Sequence, residues 1–186
     1  MEKVNILQRD FGPLKQEHIF AIRQWRNEQM DILRQKTKLT RTGQVQWFKG
    51  LKKDKTQKLF AIYENAGKDS PIIGYCGLTN LDLDYSRAEL SFIVATSRTR
   101  DLNVYSEDMI SALAFLADLA FKTYQLKRIF TETYAFRGEH IKILERFGFK
   151  QEGTLRSHIF KKGRFHDSIM HSILKEEYHP RGRSSL

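Results

Sequence analysis

The sequence has little that would favour a secreted, disulfide-bonded or membrane-spanning protein. One cysteine, Cys76, in 186 residues excludes an internal disulfide framework and is typical of a reducing cytoplasm. Apolar runs fall short of the roughly 20 residues that cross a bilayer, and the first ten residues lack the apolar core of a secretion signal. We therefore expect a cytoplasmic protein without a membrane partner, with Cys76 packed in the core.

Motifs for nucleic-acid and metal binding are also missing. The net charge of +10 could attract an anionic partner, but the basic residues are scattered, without zinc-finger spacing or the aromatic and glycine pattern of an RNA-binding sheet. His158, His166 and His171 alternate with apolar residues instead of showing the i, i+4 spacing of a helical zinc site. We predict no metal and no nucleic-acid partner. A phosphate-rich cofactor or substrate accounts for the charge, and a basic surface without function is the alternative.

Hydrophobic periodicity predicts strands and helices in a mixed order. The pattern is strand, two helices, three strands, helix, strand, helix and two strands, without a linker or repeat. We expect one domain over residues 1–178 and a disordered tail over 179–186. Residues 1–10 form an edge strand in this interpretation, and the N-A-G-K-D segment at 65–69 forms a hairpin turn. A helical pattern covers 16–35.

The segment from Arg87 to Phe121 is the centre of the predicted fold. Its first residues, R-A-E-L-S-F-I-V-A, are apolar and β-branched enough for a buried strand. A polar loop with two arginines follows, and the helical pattern then begins at Ser106, the expected N-cap, with Glu107 and Asp108 in its first turn. A cationic loop before a helix N-terminus is suited to binding an anion.

Three segments of the second half resemble the GNAT acetyltransferase superfamily. They are L-K-R-I-F-T-E-T-Y, then I-L-E-R-F-G-F-K-Q-E-G-T-L-R, and finally K-K-G-R-F-H-D-S-I-M-H-S-I-L with Asp167 at its usual place. The resemblance covers nearly the whole chain. It implies an α/β (α+β) GNAT fold, in which a mixed, mostly antiparallel sheet of about seven strands carries helices on both faces.

Two shorter motifs resemble particular subgroups. W-R-N at 25–27 and T-x-x-x-x-x-x-W-F at 40–48 are similar to motifs of enzymes that acetylate amino-sugar nucleotides or the N-termini of ribosomal proteins. The implied function is transfer of acetyl from acetyl-CoA to a primary amine by direct attack in a ternary complex. We expect a small anionic amine such as an amino-sugar nucleotide, with a ribosomal protein as the alternative acceptor. Homodimers are common in the family, but the sequence shows no interface signature.

The resemblance also implies an acetyl-CoA site. The strand at 87–95 would pair with the pantetheine arm, and the loop and helix start would hold the pyrophosphate. The implied cofactor-binding residues are Phe92, Ile93, Val94, Arg98, Arg100, Leu102, Asn103, Val104, Tyr105, Ser106 and Arg137. Asn103 and Tyr105 replace glycine-type positions of the family pattern, and Asp101 adds a negative charge. A non-catalytic GNAT-fold binding module is therefore a second alternative.

Acetyl transfer needs a base for the amine and an acid for the thiolate. Glu89, on the central strand, is the candidate base, with Glu132 in reserve. Relatives often use a tyrosine as acid where this chain has Leu144, so Tyr134 is the candidate, with Tyr105 a second one. Cys76 is not needed as a nucleophile, because the family forms no acyl-enzyme. The predicted acceptor-binding residues are Arg23, Trp25, Arg26, Asn27 and Trp47.

Overall fold

The structure is a computed structural model that describes residues 9–65 and 70–179. The described residues form four α-helices and seven strands, apart from short 3₁₀ and π turns. In chain order they are β1 (Asp10–Pro13), α1 (Ile19–Glu28), α2 (Arg41–Leu51), β2 (Lys58–Tyr63), β3 (Ile72–Asp82), β4 (Arg87–Val94), α3 (Leu102–Asp118), β5 (Arg128–Tyr134), α4 (Gly138–Phe147), β6 (Lys150–Lys161) and β7 (Arg164–Leu174).

The strands form one sheet in the order β1-β2-β3-β4-β5-β7-β6. Among the described strands, β4 and β5 make the one parallel pair, and α3 is the crossover between them. Their register runs from Arg87 opposite Arg128 to Glu89 opposite Phe130, and the strands diverge beyond it. The neighbouring pairs are antiparallel. The divergence opens a cleft in the middle of the sheet.

Helices cover both faces of the sheet. Successive residues of a strand point to opposite faces, so one strand contributes side chains to both cores. Leu90 and Val94 of β4 belong to the larger core, together with residues of α3 and α4. Ile93, which precedes Val94 and points to the opposite face, packs with Ile22 of α1 and Tyr75 of β3 in a smaller core. The predicted fold class, a mixed and mostly antiparallel sheet with helices on both faces, is confirmed.

Several local predictions hold. The Thr40 hydroxyl caps α2 by accepting the N–H of Gly43 at 3.0 Å. Gly148 ends α4 with φ +120°, a conformation that favours glycine. Cys76 is fully buried, and burial raises the pKa of its thiol well above the usual range. It is thus a core residue, with no sign of activation.

Other local predictions need correction. The helical pattern of 16–35 is broken into α1 and two flanking 3₁₀ turns. Ser106 is not the N-cap of α3: the helix starts at Leu102, and the Asp101 carboxylate caps it. Glu107 and Asp108 therefore lie beyond the first turn. The strands β3 and β6 are longer than the sequence pattern indicated.

Some predictions fall outside the described residues. These are most of the edge strand predicted at 1–10, most of the N-A-G-K-D turn, and nearly all of the tail at 179–186. An edge strand does pair with β2, but it covers Asp10–Pro13 (β1) and so begins where the predicted strand ends. None of the helices in residues 9–65 and 70–179 has the length and apolar character needed to cross a bilayer.

Candidate active site

The candidate active site is the cleft between the diverging parts of β4 and β5, with a volume of about 270 Å³. Residues 89–93 of β4 form one wall, and Thr131, Glu132 and Tyr134 of β5 form the other. The loop after α1 closes the side of the smaller core, and α3 and α4 close the opposite side. Predicted site residues on its lining are Arg26, Glu89, Phe92, Ile93, Tyr134 and Arg137.

The cleft edge of β4 presents backbone groups that lie beyond its pairing with β5. Ala95 N–H donates to the Ile73 carbonyl of β3 at 2.7 Å. Because antiparallel bonding alternates along a strand, odd-numbered residues of β4 face β3, and the N–H and C=O groups of Phe92 and Val94 face the cleft. The Val94 carbonyl accepts the side-chain amide of Gln29 at 2.8 Å. This edge can pair with an extended ligand, as β-augmentation requires.

The loop before α3 offers fewer free donors than its sequence suggested. The Asp101 carboxylate accepts the N–H groups of Asn103 and Val104, at 2.9 and 3.2 Å. A phosphate that used these two donors would have to displace that carboxylate. Arg100 is exposed on the preceding 3₁₀ turn. Of the loop cations, it is the one that a phosphate can reach without breaking a described ion pair.

Arg98 has a structural partner instead. Its guanidinium lies against Asp108, with Nε at 2.5 Å from Oδ2, and also against Glu64 at 3.0 Å. Asp108 is fully buried and binds Arg9 as well, at 2.7 Å. A buried carboxylate between two guanidinium groups is stable only while it stays paired. The cluster therefore fixes α3 to the segment before β1 and to the end of β2.

Tyr105 points away from the loop into the protein. Its ring is 9% exposed and packs at the edge of Phe92. The hydroxyl lies 2.7 Å from Nδ1 of His140 and accepts from Nη2 of Arg137 at 3.0 Å. Tyr105 thus joins α3 to α4 and does not fill the loop. Burial raises the pKa of the Tyr105 hydroxyl, and burial together with Arg137 lowers the pKa of His140 well below its usual range.

Glu89 and Glu132 lie on the α1 side of the cleft, on β4 and β5 respectively. Glu89 is 6% exposed and forms an ion pair with Nη2 of Arg34. The Nδ2 group of Asn80 donates to its other oxygen at 2.7 Å. Nε of Arg34 lies 3.6 Å from Glu132, so the guanidinium bridges the two carboxylates.

Tyr134 ends β5 at the same side of the cleft. The side chain is buried, and burial raises the pKa of its hydroxyl, with the Glu132 carboxylate adding to the effect. The phenol is therefore protonated at neutral pH. It can donate a hydrogen bond or a proton into the cleft.

The predicted acceptor-binding residues separate in the structure. Arg26 lines the cleft and donates to the hydroxyl of Tyr75 at 2.6 Å. Arg23 and Asn27 donate to the Leu39 carbonyl at 2.9 and 3.0 Å, so they hold the loop after α1. Trp25 packs against the smaller core, and Trp47 packs edge-on against Tyr75. These four are not among the described lining residues, whereas Arg26 is.

The sequence did not reveal Arg34, which lines the cleft, or Lys161, which holds the loop that carries Arg34. Lys161, near the β6–β7 turn, donates to the carbonyls of Met30, Leu33 and Gln35 at 2.8, 3.0 and 3.3 Å. This contact joins the hairpin to the loop that carries Arg34. Both residues lie in polar, charged stretches, where a functional side chain has no distinguishing pattern.

A parallel pair that splays from a short common register, with helices on both faces, is the architecture of an acyl-CoA-binding acetyltransferase. A sequence model of the family described as "Acetyltransferase (GNAT) domain" matches residues 13–170. The chain belongs to this family. The family predicted from the sequence is thereby confirmed.

Two bacterial relatives match part of the chain. N-acetyltransferase p20 of Bacillus licheniformis is 32% identical over 108 residues, which are 58% of this chain and 57% of that protein. The SPbeta prophage-derived N-acetyltransferase YokL of Bacillus subtilis (strain 168) is 27% identical over 112 residues, 59% of either chain. The matches thus span less than two thirds of these relatives.

The fold also matches solved structures. Spermidine N-acetyltransferase from Vibrio cholerae, in complex with CoA and spermine, superposes with a TM-score of 0.83 at 18% identity. The match covers 92% of this chain and 98% of that one. At this identity the likeness concerns the fold.

Proposed function

We propose that the protein is an N-acetyltransferase that moves the acetyl group of acetyl-CoA to a primary amine. The observation that carries the proposal is the cleft between β4 and β5, with backbone donors and acceptors on one wall and ionisable side chains on the other. Direct attack in a ternary complex suits this cleft, because it offers backbone groups to one substrate and ionisable side chains to the other. Cys76 has no part, since it is buried in the core.

In this proposal acetyl-CoA lies along the cleft edge of β4. The backbone groups of Phe92 and Val94 pair with its pantetheine arm, and the N–H of Val94 polarises the thioester carbonyl. Arg100 binds the pyrophosphate at the loop. Arg137, on the opposite wall, lies where its guanidinium can meet the cofactor, although it now donates to Tyr105.

The proposed chemistry uses side chains on the α1 side. Glu89 and Glu132 are the carboxylates that can take a proton from the acceptor ammonium. Tyr134 then supplies a proton to the leaving thiolate. Its raised pKa supports this role, because the phenol is protonated at neutral pH.

The acceptor is a small primary amine in this proposal. Arg26 and Arg34 at the cleft support an anionic amine such as an amino-sugar nucleotide. The two carboxylates, Glu89 and Glu132, favour a second candidate acceptor, a cationic amine. The spermidine acetyltransferase of similar fold acts on such a molecule. A ribosomal-protein N-terminus is the third acceptor.

Calorimetric titration of acetyl-CoA tests the cofactor site. We expect micromolar binding by the native protein and a loss of about tenfold, roughly 1.4 kcal/mol, for Arg100→Ala. Arg164→Ala, which removes an exposed arginine from the β6–β7 turn, is the control and should bind like the native protein. If the folded native protein does not bind acetyl-CoA, the transferase proposal fails and the binding-module alternative takes its place.

An amine screen then identifies the acceptor. Release of free CoA is measured with amino-sugar nucleotides, spermidine and ribosomal-protein N-terminal peptides at equal concentration. Turnover of an amino-sugar nucleotide supports the anionic acceptor, whereas turnover of spermidine alone shifts the proposal to the cationic class.

A further inference from the structure

The two carboxylates of the cleft differ in what occupies their oxygen atoms. One oxygen of Glu89 meets the Arg34 guanidinium, and the other accepts from Asn80 at 2.7 Å and lies 3.4 Å from Nη1 of Arg34. A guanidinium and an amide stabilise the charged form of a carboxylate. Both oxygens of Glu89 are therefore occupied by donors, and a substrate ammonium would have to displace one of them.

Glu132 has an oxygen that is open to a ligand. Its Oε2 lies near Arg34, but its Oε1 is buried and accepts no hydrogen bond from the described residues. A buried acceptor without a donor costs free energy, and a ligand that brings a donor removes that cost. Because Glu132 lines the cleft, the ammonium of an amine substrate can supply the donor.

His158 connects this oxygen to solvent. Its Nε2 lies 3.5 Å from Oε1 of Glu132, and its side chain is 43% exposed. An irregularity in β6 brings it there: the register with β7 shifts between Leu155 and Ile159, where three residues oppose Asp167 alone. Bulges of this kind redirect side chains and are frequent beside active sites.

Asp167 fixes the bulge. Ser157 has φ +49°, a left-handed conformation that few non-glycine residues adopt. Its N–H donates to Oδ1 of Asp167 at 2.7 Å, which compensates for the strained backbone. The aspartate of the hairpin motif thus holds the segment that carries His158.

We propose that Glu132 is the catalytic base and that His158 carries the proton from it to solvent. This inference rests on the proposed N-acetyltransferase function and assigns the base within it. The charged and titratable groups facing Glu132 are Arg34 from the loop after α1, His158 from β6 and Tyr134 from its own strand. Glu89 lies beyond Arg34.

The proton and electron balance is simple. Glu132 takes one proton from the ammonium and passes it to His158 and solvent. The amine lone pair attacks the thioester carbonyl, so a C–N bond forms and the C–S bond breaks. Tyr134 gives its proton to the leaving thiolate, and the second proton shed by the nitrogen returns to Tyr134.

The test uses Glu132→Gln and Glu89→Gln in the full chain, with the amine that the screen identifies. Glu132→Gln should bind acetyl-CoA normally and lose about 100-fold in kcat/KM near pH 7. Raising the pH should restore much of that loss, because the amine then arrives deprotonated. A fluorinated, less basic analogue of the same amine should restore turnover near neutral pH, and a merely structural defect would not respond to it. His158→Gln should lose less in kcat/KM than Glu132→Gln, and high pH and the less basic amine should restore its activity in the same way.

The outcomes separate the two proposals. A native protein that acetylates no amine in the screen overturns the proposed function, and this inference with it. If Glu132→Gln retains the native turnover, this inference alone is overturned. The same holds if Glu89→Gln loses more activity than Glu132→Gln and is restored by high pH and by the analogue. A loss that neither pH nor the analogue restores also overturns it.

Discussion

The proposed cofactor side and the proposed acceptor side of the cleft are built in different ways. The cofactor side consists of β4, the following loop and the start of α3, which are consecutive in the chain, and its binding groups are largely backbone atoms. The acceptor side combines Arg34, Glu89, Glu132 and His158 from four separate segments. Backbone sites follow from secondary structure, whereas a side-chain site exists only after distant segments meet.

The two sides also differ in how they are held. A buried ion cluster around Asp108 supports α3 on the cofactor side. The acceptor side depends on Arg34, which is 55% exposed, and on Lys161, which bonds to three loop carbonyls. We therefore expect cofactor-side changes to affect stability first and acceptor-side changes to affect amine recognition first.

Asp108→Asn should have the largest effect on stability. It leaves Arg9 and Arg98 without their shared countercharge in a buried place, so the free energy of unfolding should fall by about 3–5 kcal/mol in denaturant titration. Asp118→Asn on the same helix is the control. Its ion pair with Lys122 is half-exposed, and its loss should cost below about 1 kcal/mol. A stable Asp108→Asn protein that no longer bound acetyl-CoA would show instead that the cluster serves the cofactor.

Gly74→Ala should weaken both stability and cofactor binding. A Cβ at Gly74 would lie 2.5 Å from the Ile93 carbonyl oxygen and would push β4, whereas one at Gly77 would lie 2.3 Å from the Lys58 carbonyl oxygen of β2. Overpacking of this kind costs about 1–3 kcal/mol in either variant. Thermal unfolding should show similar losses for Gly74→Ala and Gly77→Ala. In calorimetry, Gly74→Ala should bind acetyl-CoA more weakly than Gly77→Ala. Equal affinities of the two variants would contradict the proposed role of β4 in cofactor binding.

Acidification should destabilise the cofactor side through His140. Burial, and then Arg137, holds the pKa of His140 well below 6.5 in the folded protein. The unfolded chain therefore binds a proton that the folded one rejects, and stability falls as the pH drops below about 6.5. One such histidine contributes at most about 1.4 kcal/mol per pH unit. The slope of unfolding free energy against pH should be shallower in His140→Gln, and an unchanged slope would contradict the assignment.

Lys161→Met should have the smallest effect, confined to the acceptor side. Without the ammonium group, the loop carrying Arg34 loses three hydrogen bonds from the hairpin, and KM for the amine should rise by roughly a few fold, below about 1 kcal/mol. The affinity for acetyl-CoA should stay unchanged. Lys162→Met, which removes an exposed ion pair with Asp31, is the matched control. Equal KM values in the two variants would contradict the role of Lys161.

The local predictions that proved correct concern helix ends where the sequence offers one clear capping residue. A threonine before an amphipathic run caps α2, and a glycine at positive φ ends α4. The N-cap of α3 was placed at Ser106 because Ser106 and Asp101 are both suitable caps. The apolar periodicity is clear only from Met109 onward. In the structure the Asp101 carboxylate accepts two N–H groups of the first turn, and Tyr105, within the helix, lies buried against His140.

The candidate site was predictable to the extent that it is local. Phe92, Tyr134 and Glu89, which strand patterns and family resemblance placed in the site, all line the cleft, and their roles stay predictions. The partners of these residues were not predictable. Nothing in the sequence near Arg98 indicates Asp108 as its partner, and nothing near Arg34 indicates two carboxylates on neighbouring strands.

By itself, the sequence determined the order of elements, the sheet with helices on both faces, and the family. Periodicity, caps and motifs are properties of neighbouring residues, so they can be recognised before the chain folds. Only the tertiary structure showed that Arg100 lies outside the described ion pairs whereas Arg98 does not, and that one oxygen of Glu132 accepts no hydrogen bond from the described residues. Those assignments depend on charges that lie far apart along the chain and meet where β4 and β5 separate.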